Sequence, residues 1–507
     1  MSYLRNAWRQ LTSMRTALVL LVLLAVAAIP GSVLPQHSVK AEDVARYYQQ
    51  HPDLAPVLEK LWGFDVYRSP WFSSIYLLLF ISLAGCIVPR LRDHARAMLR
   101  KPPEVPANLS RLPQHAAEIS VGGTPAQAMP QLRGWRKVVR EQPDGSVTIS
   151  AERGFFKETG NLVFHTALIG VLIGVATGSL GGWHANRIVV AGAETAFCNT
   201  PQQLDEYVPG AWVSSGDLPK FCLELASFDA TYLESGAPSS FRARGVVTGD
   251  QQRSENFSVN DPLRLDGANV YLIGHGYAPV LRYTDRYGRS QTSATPFLPA
   301  SDAGLTSEGV ATFPDANIDP KATGDTRDRS QQVAFSGLYL PTAPAKAPFV
   351  RSVYPAERNP LLVLSFFRGD LGIDAGVPRS VYTLDQRQIE RGKLKQVGEG
   401  KFLKLGEAWT LDDGSKLEFI GTKQFAVLSI RHDPGEPIVL GSVAFLLAGL
   451  MLSLIGKRRR IFVRVRPDAA DATRSLIEVG GLPRSDYPGF PEEFTSIVQN
   501  LQRADRS

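Results

Sequence analysis

Apolar residues gather along this 507-residue chain into four runs, Thr16 to Leu34, Trp71 to Val88, Leu162 to Leu180 and Ile438 to Ile455, with polar or alternating stretches between them. Each run approaches the roughly 20 residues that cross a ~30 Å hydrocarbon core as a helix. The pattern predicts a membrane protein with four spanning helices rather than two or three soluble domains. Between the first two runs Val44, Tyr47, Tyr48, Val57, Leu58, Leu61 and Trp62 recur at helical spacing, broken at Pro52 and Pro56. Two short helices lying on the outer membrane face are expected there. Trp62, Trp71 and Tyr76 suit an interfacial belt.

Elsewhere the period shortens to two. After the second run a proline-rich linker, "KPPEVPANLSRLP", leads into "HAAEISV", "WRKVVRE" and "SVTISAE", which predict a small strand unit. The C-terminal tail repeats the style with "RIFVRVR" and "SLIEVGG", then closes on the helical "PEEFTSIVQNLQR". The long segment between the third and fourth runs carries "RARGVVTG", "NVYLIGHG", "LEFIGT" and "AVLSIRHD", separated by Gly, Pro, Asn and Asp. These predict a mostly antiparallel β domain, sandwich or open barrel. From about Thr292 to Lys346 large apolar residues thin out, so a long loop or insertion is expected.

The predicted fold class is an α-helical polytopic membrane protein with a large mostly-β extracytoplasmic domain. Its divisions are a cytoplasmic N-terminus with the first spanning helix over 1–34, an outer helical loop over 35–70 and the second spanning helix over 71–89. A small cytoplasmic strand-rich unit over 90–160 and the third spanning helix over 161–181 follow. The extracytoplasmic β-rich domain over 182–437, the fourth helix over 438–456 and a cytoplasmic tail over 457–507 complete the chain.

Charge supplies the orientation. The formal net charge of +6 is concentrated beside the apolar runs, in Arg5, Arg9 and Arg15, in Arg90, Arg92, Arg96, Arg100 and Lys101, in Arg153 and Lys157, and in "KRRR" at Lys457 to Arg460. If every run crosses, all four clusters fall on one side, and the positive-inside rule puts both termini in the cytoplasm. The basic balance is thus explained by topology and anionic lipid; no aromatic-interleaved basic stripe indicates nucleic acid. The basic start and the small residues of "AVAAIPGS" also resemble a cleavable signal peptide, but the run continues through "VLP" to spanning length, which favours a retained anchor.

Of the three cysteines, Cys86 lies in the second run, while Cys198 and Cys222 fall in the outer segment, where oxidising conditions permit a disulfide. The other reading of that pair, a dithiol handling another protein's cysteines, lacks the C-x-x-C spacing that lowers a thiol pKa. The chain shows no P-loop, G-x-S-x-G elbow or H-E-x-x-H motif, which argues against a self-contained NTPase or hydrolase.

The third run holds the candidate chemistry. Thr166, Gly170, Gly174 and Gly178 recur every four residues, a small-residue stripe for close helix packing. His165 lies on the neighbouring face, in line with Asn161, and an ionisable side chain inside a span calls for a reason. Three stand open: an interhelical hydrogen bond, ligation of a metal or haem iron, or proton relay. Burial holds an imidazole neutral, and neutral imidazole is the form that binds iron. His184 in "GGWHAN" and His432 in "RHDPGEP" sit just beyond the outer boundary, as outer-face candidates or as ordinary interfacial and turn residues. At about 1.5 Å per residue, His165 and His184 are roughly 28 Å apart, nearly the full core. His37, His51, His94, His115 and His275 read as surface or loop residues.

On these residues the chain resembles the ResB (CcsB-type) family of System II cytochrome c biogenesis proteins. The likeness rests on "WRQLTSMRTALVLL" with "PGSVLPQ", on "SPWFSSIYLLLFISLAGCIVPR", on "GFFKETGNLVFHTALIGVLIG", on "VNDPLRLDGANVYLIGHGYAP" and on "IRHDPGEPIVLGSVAFLLAGLMLSLIGKRRRIFVRV", in family order from end to end. The Thr292–Lys346 stretch and Cys198/Cys222 lie outside that core pattern. The resemblance implies a component of a cytochrome c synthase (haem lyase) complex rather than an enzyme acting alone. Its partners would be a CcsA (ResC)-type haem-handling membrane protein, apocytochrome c and a thiol-disulfide protein of the outer face. Haem would be transported or transiently bound, with His165, matching the family's third-helix histidine through "GNLVFH", as an axial ligand. Lys157 and Arg153 would either meet the propionates or only set topology. The alternative is an assembly scaffold or apocytochrome chaperone beside a partner that alone handles haem. A bacterial plasma membrane is the expected location, since no transit-type leader precedes the first run.

Overall fold

The computed structural model describes residues 2–37, 41–130, 132–192, 196–249, 251–265, 267–300, 302–319, 328–373, 382–471, 473–485 and 487–504. Two compact units emerge, one formed by residues 1–177 with 434–507 and the other by residues 178–433.

Among the described residues four helices are long and apolar enough to span a membrane, Met14–Val33, Pro70–Leu99, Phe156–Gly181 and Glu436–Ile455, and all but the last turn of the third belong to the first unit. Their starts follow local chemistry. The Ser13 hydroxyl accepts from the amide of Thr16, and that of Ser69 from Phe72, satisfying N–H groups that a first helical turn leaves unpaired. Pro70 and Pro437 sit in first turns, where the missing N–H costs nothing. The second helix runs ten residues past the expected end at 89, through Pro89 and "RLRDHARAML". Hydropathy ends the apolar run there, but the polar residues that follow are good helix formers. A separate helix, Ser2–Leu11, precedes the first span. The two short helices expected between the first and second spans are Ala41–Gln50 and Ala55–Lys60, closed over a small core of Val44, Ala55 and Phe64.

The expected strand unit of 90–160 and the tail of 457–507 are one structure. Their strands make a single antiparallel sheet in the order Gln114–Gly122, Arg474–Pro483, Arg459–Pro467, Val147–Arg153 and Arg136–Glu141. The helix Phe490–Ala504 packs Phe490 and Phe494 into the core with Ile149, Ile461, Val463, Ile477 and Val479.

The second unit is mostly β. Two 17-residue strands, Ala268–Thr284 and Lys416–His432, pair antiparallel from Asn269↔Arg431 to Thr284↔Lys416 and form its spine. Trp183–Val190 and Glu206–Pro209 extend this seven-stranded sheet. One end of the spine shares a core with the strands of a four-stranded sheet, including Cys222–Tyr232 and Pro238–Thr248; Leu223, Val270, Leu428 and Ile430 are fully buried or nearly so. The other end shares a core with a six-stranded sheet, through Leu281, Tyr283, Phe335, Leu362 and Phe419.

The stretch expected as a loop or insertion near 292–346 is part of that architecture. It supplies Ser307–Phe313 and Val333–Leu340, adjacent strands of the six-stranded sheet, and Phe313, Val333, Phe335 and Tyr339 are at most 1% exposed. Its apolar residues are few but fall on inward positions, and its small residues allow close approach: a Cβ at Gly337 would collide with the Val363 carbonyl. Residues 320–327 of the stretch lie outside the described residues.

Candidate functional site

The third spanning helix, Phe156–Gly181, is held closely against the fourth. A Cβ at Gly160 would fall 2.5 Å from the Ser453 amide, one at Gly174 2.7 Å from Val439 Cγ2, and one at Gly449 of the fourth helix 2.5 Å from the Phe164 amide. Gly170 faces the Ser442 side chain, so the small positions let the two helices approach closely, backbone to backbone at Gly160 and Gly449. Gly178, in the other unit, lies under the Asp433 carboxylate. The second helix is joined to the third by the Tyr76 hydroxyl, which donates to the Leu172 carbonyl at 2.5 Å.

His165 stands away from this seam. At about 100° per residue it is roughly 140–180° around the helix from Gly160 and Gly174. The imidazole is half-buried, with the Phe164 ring edge-on at 5.2 Å. Its Nδ1 is 2.8 Å from the carbonyl oxygen of Asn161, one turn back. A carbonyl only accepts, so Nδ1 carries the proton and donates; in the neutral ring Nε2 then holds the lone pair. A neutral imidazole whose far nitrogen is fixed by a carbonyl is the arrangement found at metal-binding histidines. The chemistry present therefore fits an iron ligand, directed away from the fourth helix.

Below it, at the end bearing the basic clusters, lies a polar layer. His94 is not a surface or loop residue: it lies in the extended second helix with its side chain 10% exposed, Nε2 2.9 Å from Thr159 Oγ1 and Nδ1 3.5 Å from the Glu158 carboxylate. Arg458 pairs with Glu158 and lies 4.4 Å over the Phe155 ring. The neighbouring Arg459 and Arg460 pair with Glu493 and Glu152. Much of the "KRRR" charge is thus matched by acids of the adjoining sheet and helix, which a count of basic residues does not reveal. Arg153 is exposed at a strand end opposite Arg459, and Lys157 is half-buried with its backbone against Gly456.

In the β unit, His184 and His432 come to adjacent strands. His184 is paired with Arg431, and His432 with Trp183. Directly opposed residues share a face and successive ones alternate, so the two imidazoles leave opposite faces of the sheet and do not converge on one ion. Cys198 and Cys222 are bonded to each other, in register on neighbouring strands. His275 differs from the expectation. It lies in the spine strand under the rings of Phe228 and Phe241, at 5.6 and 4.6 Å, with Nε2 3.1 Å from the Tyr232 hydroxyl. Desolvation pushes its pKa down to about 4, and pushes the Tyr232 hydroxyl well above its ordinary value. The alternation of "NVYLIGHG" marks the strand, but the aromatic roof comes from a distant hairpin that local pattern cannot reveal.

Four helices able to span a membrane, joined to a multi-sheet β unit and with a histidine inside one span, define a polytopic membrane protein. The chain belongs to the ResB-like family, whose model matches residues 14–495. It is similar to the cytochrome c biogenesis protein CcsB of Synechococcus sp. strain RCC307, at 28% identity over 89% of this chain and 88% of that one. It is 25% identical to CcsB of Synechococcus sp. strain WH7803 over 99% of both chains. CcsB of Gloeobacter violaceus matches at 30% over 52% of this chain and 55% of its own.

Proposed function

We propose that this chain is the haem-handling membrane subunit of a cytochrome c haem-attachment complex, holding haem through His165 while a CcsA (ResC)-type partner completes the site. As a ResB-like protein akin to CcsB over nearly its whole length, it is a membrane subunit of cytochrome c biogenesis. The haem role rests on one observation: the hydrogen bond from Nδ1 to the Asn161 carbonyl leaves Nε2 as the nitrogen that could ligate within a spanning helix. Haem, the cargo, supplies the iron that ends in the cytochrome. This chain's residues would bind and orient: His165 would offer one nitrogen to the iron, and the partner would supply what completes the site. Arg153 and Lys157 are the basic residues at the inner end nearest in sequence for the propionates.

The four basic clusters support a plasma-membrane topology with both termini cytoplasmic and the β unit extracytoplasmic. There the β unit would present apocytochrome c, whose cysteines a thiol-disulfide protein keeps reduced; the Cys198–Cys222 bridge suits that oxidising side.

The test is the visible spectrum of the complex co-purified with its partner. His165→Gly is expected to lose the haem band, and imidazole added to the variant to restore it. An unchanged band in His165→Gly would overturn the ligand assignment and leave the subunit as a scaffold for apocytochrome.

A further inference from the structure

Among the exposed aromatics of the β unit, Trp212 has a position fixed by the third spanning helix itself. The last carbonyls of a helix lack intrahelical partners. Here the amide of Trp212 donates to the Leu180 carbonyl at 2.9 Å, and the amide of Gly210 to the Gly182 carbonyl at 2.8 Å. Gly210 has to be small, because a Cβ there would sit 2.6 Å from the Gly182 oxygen. Val213 packs against the adjacent β core, and Ser214 and Asp217 close the next turn with reciprocal hydrogen bonds. The loop backbone is therefore tied at the point where the third apolar run ends, while the Trp212 side chain remains 69% exposed.

We propose that Trp212 is a membrane-interface anchor, its indole lying among the lipid headgroups where the third spanning helix leaves the hydrocarbon. The occupant follows from position and chemistry. The apolar run ends at Leu180, so the bilayer interface lies at the depth of the carbonyl that Trp212 holds. An indole matches that interface because its ring is apolar and its N–H needs a polar partner. The anchor acts as a depth stop at the end of that helix. It does not depend on haem binding by this subunit.

The test uses the full chain in lipid nanodiscs. Cys86→Ala with Trp212→Cys leaves one reactive thiol beside the bridged pair, which takes a bimane label; Val350→Cys, at a residue 65% exposed in another loop of the β unit, is the reference. Lipids brominated near the glycerol end of their chains are expected to lower emission from position 212 about twofold and to leave position 350 unchanged, with aqueous iodide doing the reverse. Quenching of position 212 by iodide as at 350 would overturn the proposal. So would protection from both quenchers, which would mean that protein covers the loop. If Trp212→Cys does not assemble, Ala211→Cys reads the same depth with Trp212 in place.

Discussion

A histidine's role is set by what its two nitrogens face, and the contrast between His165 and His275 shows this at the scale of single residues. His165 donates a hydrogen bond from Nδ1 to a carbonyl, which in the neutral ring leaves the lone pair on Nε2. His275 is roofed by aromatic rings and bonded to Tyr232, and burial lowers its pKa to about 4. An ordinary histidine titrates near 6.5, so the unfolded chain takes up the proton first as pH falls. The contribution of His275 to stability is full above about 6.5 and is lost as pH drops towards 4, by up to about 3 kcal/mol. Thermal melts of the full chain in detergent should show this acid loss. In His275→Gln, which keeps a polar partner for Tyr232 but does not titrate there, the slope between pH 6.5 and 4 should shrink by about one proton. An unchanged slope would mean that other groups govern acid stability.

At the scale of elements, the seam between the third and fourth spanning helices depends on absent side chains. Gly160 on one helix and Gly449 on the other face backbone, and Gly174 faces the Val439 side chain, at distances no Cβ tolerates. Gly174→Leu should therefore separate the pair at that level, with aggregation on size exclusion in mild detergent and loss of intact chain from the membrane fraction. Gly441→Leu, at a position of the same fourth helix with open space around it, should be tolerated. The four-residue repeat made the small stripe legible in the sequence, but its partner was not. Hydropathy says that a helix lies in lipid, not which neighbour it meets, because lipid tails are as apolar as the side chains they replace. The polar extension of the second helix escaped for a related reason: once the apolar run ends at Val88, only propensity signals its continuation to Leu99, and that signal is weak. His94 lies on that continuation, so its buried side chain has no signal in the local sequence.

Across the whole molecule, the sheet shared by the linker strands and the tail ties residues far apart in sequence. Arg459–Pro467 lies between Val147–Arg153 and Arg474–Pro483, so removing residues 457–507 takes away two adjacent strands and the covering helix. The remaining strands would expose Ile119, Ile149 and Ala151. Limited proteolysis of membranes should then cut between residues 114 and 153 in the truncated chain and spare that stretch in the full one; equal resistance in both would show that the linker strands fold alone.

The sequence alone determined the four spans, the clustering of basic residues beside them, the β character of the long segment between the third and fourth spans and the identity of His165 as the residue to explain. Each of these is a one-dimensional signal, of length, charge or period, set by the solvent a segment meets. The tertiary structure alone decided the pairing of linker with tail, the inclusion of Ser307–Phe313 and Val333–Leu340 in a buried sheet, and the roof over His275. It also decided that His184 and His432 are neighbours facing opposite ways. Alternation marks a strand but not its partner or register, and those depend on contacts between residues that only folding brings together.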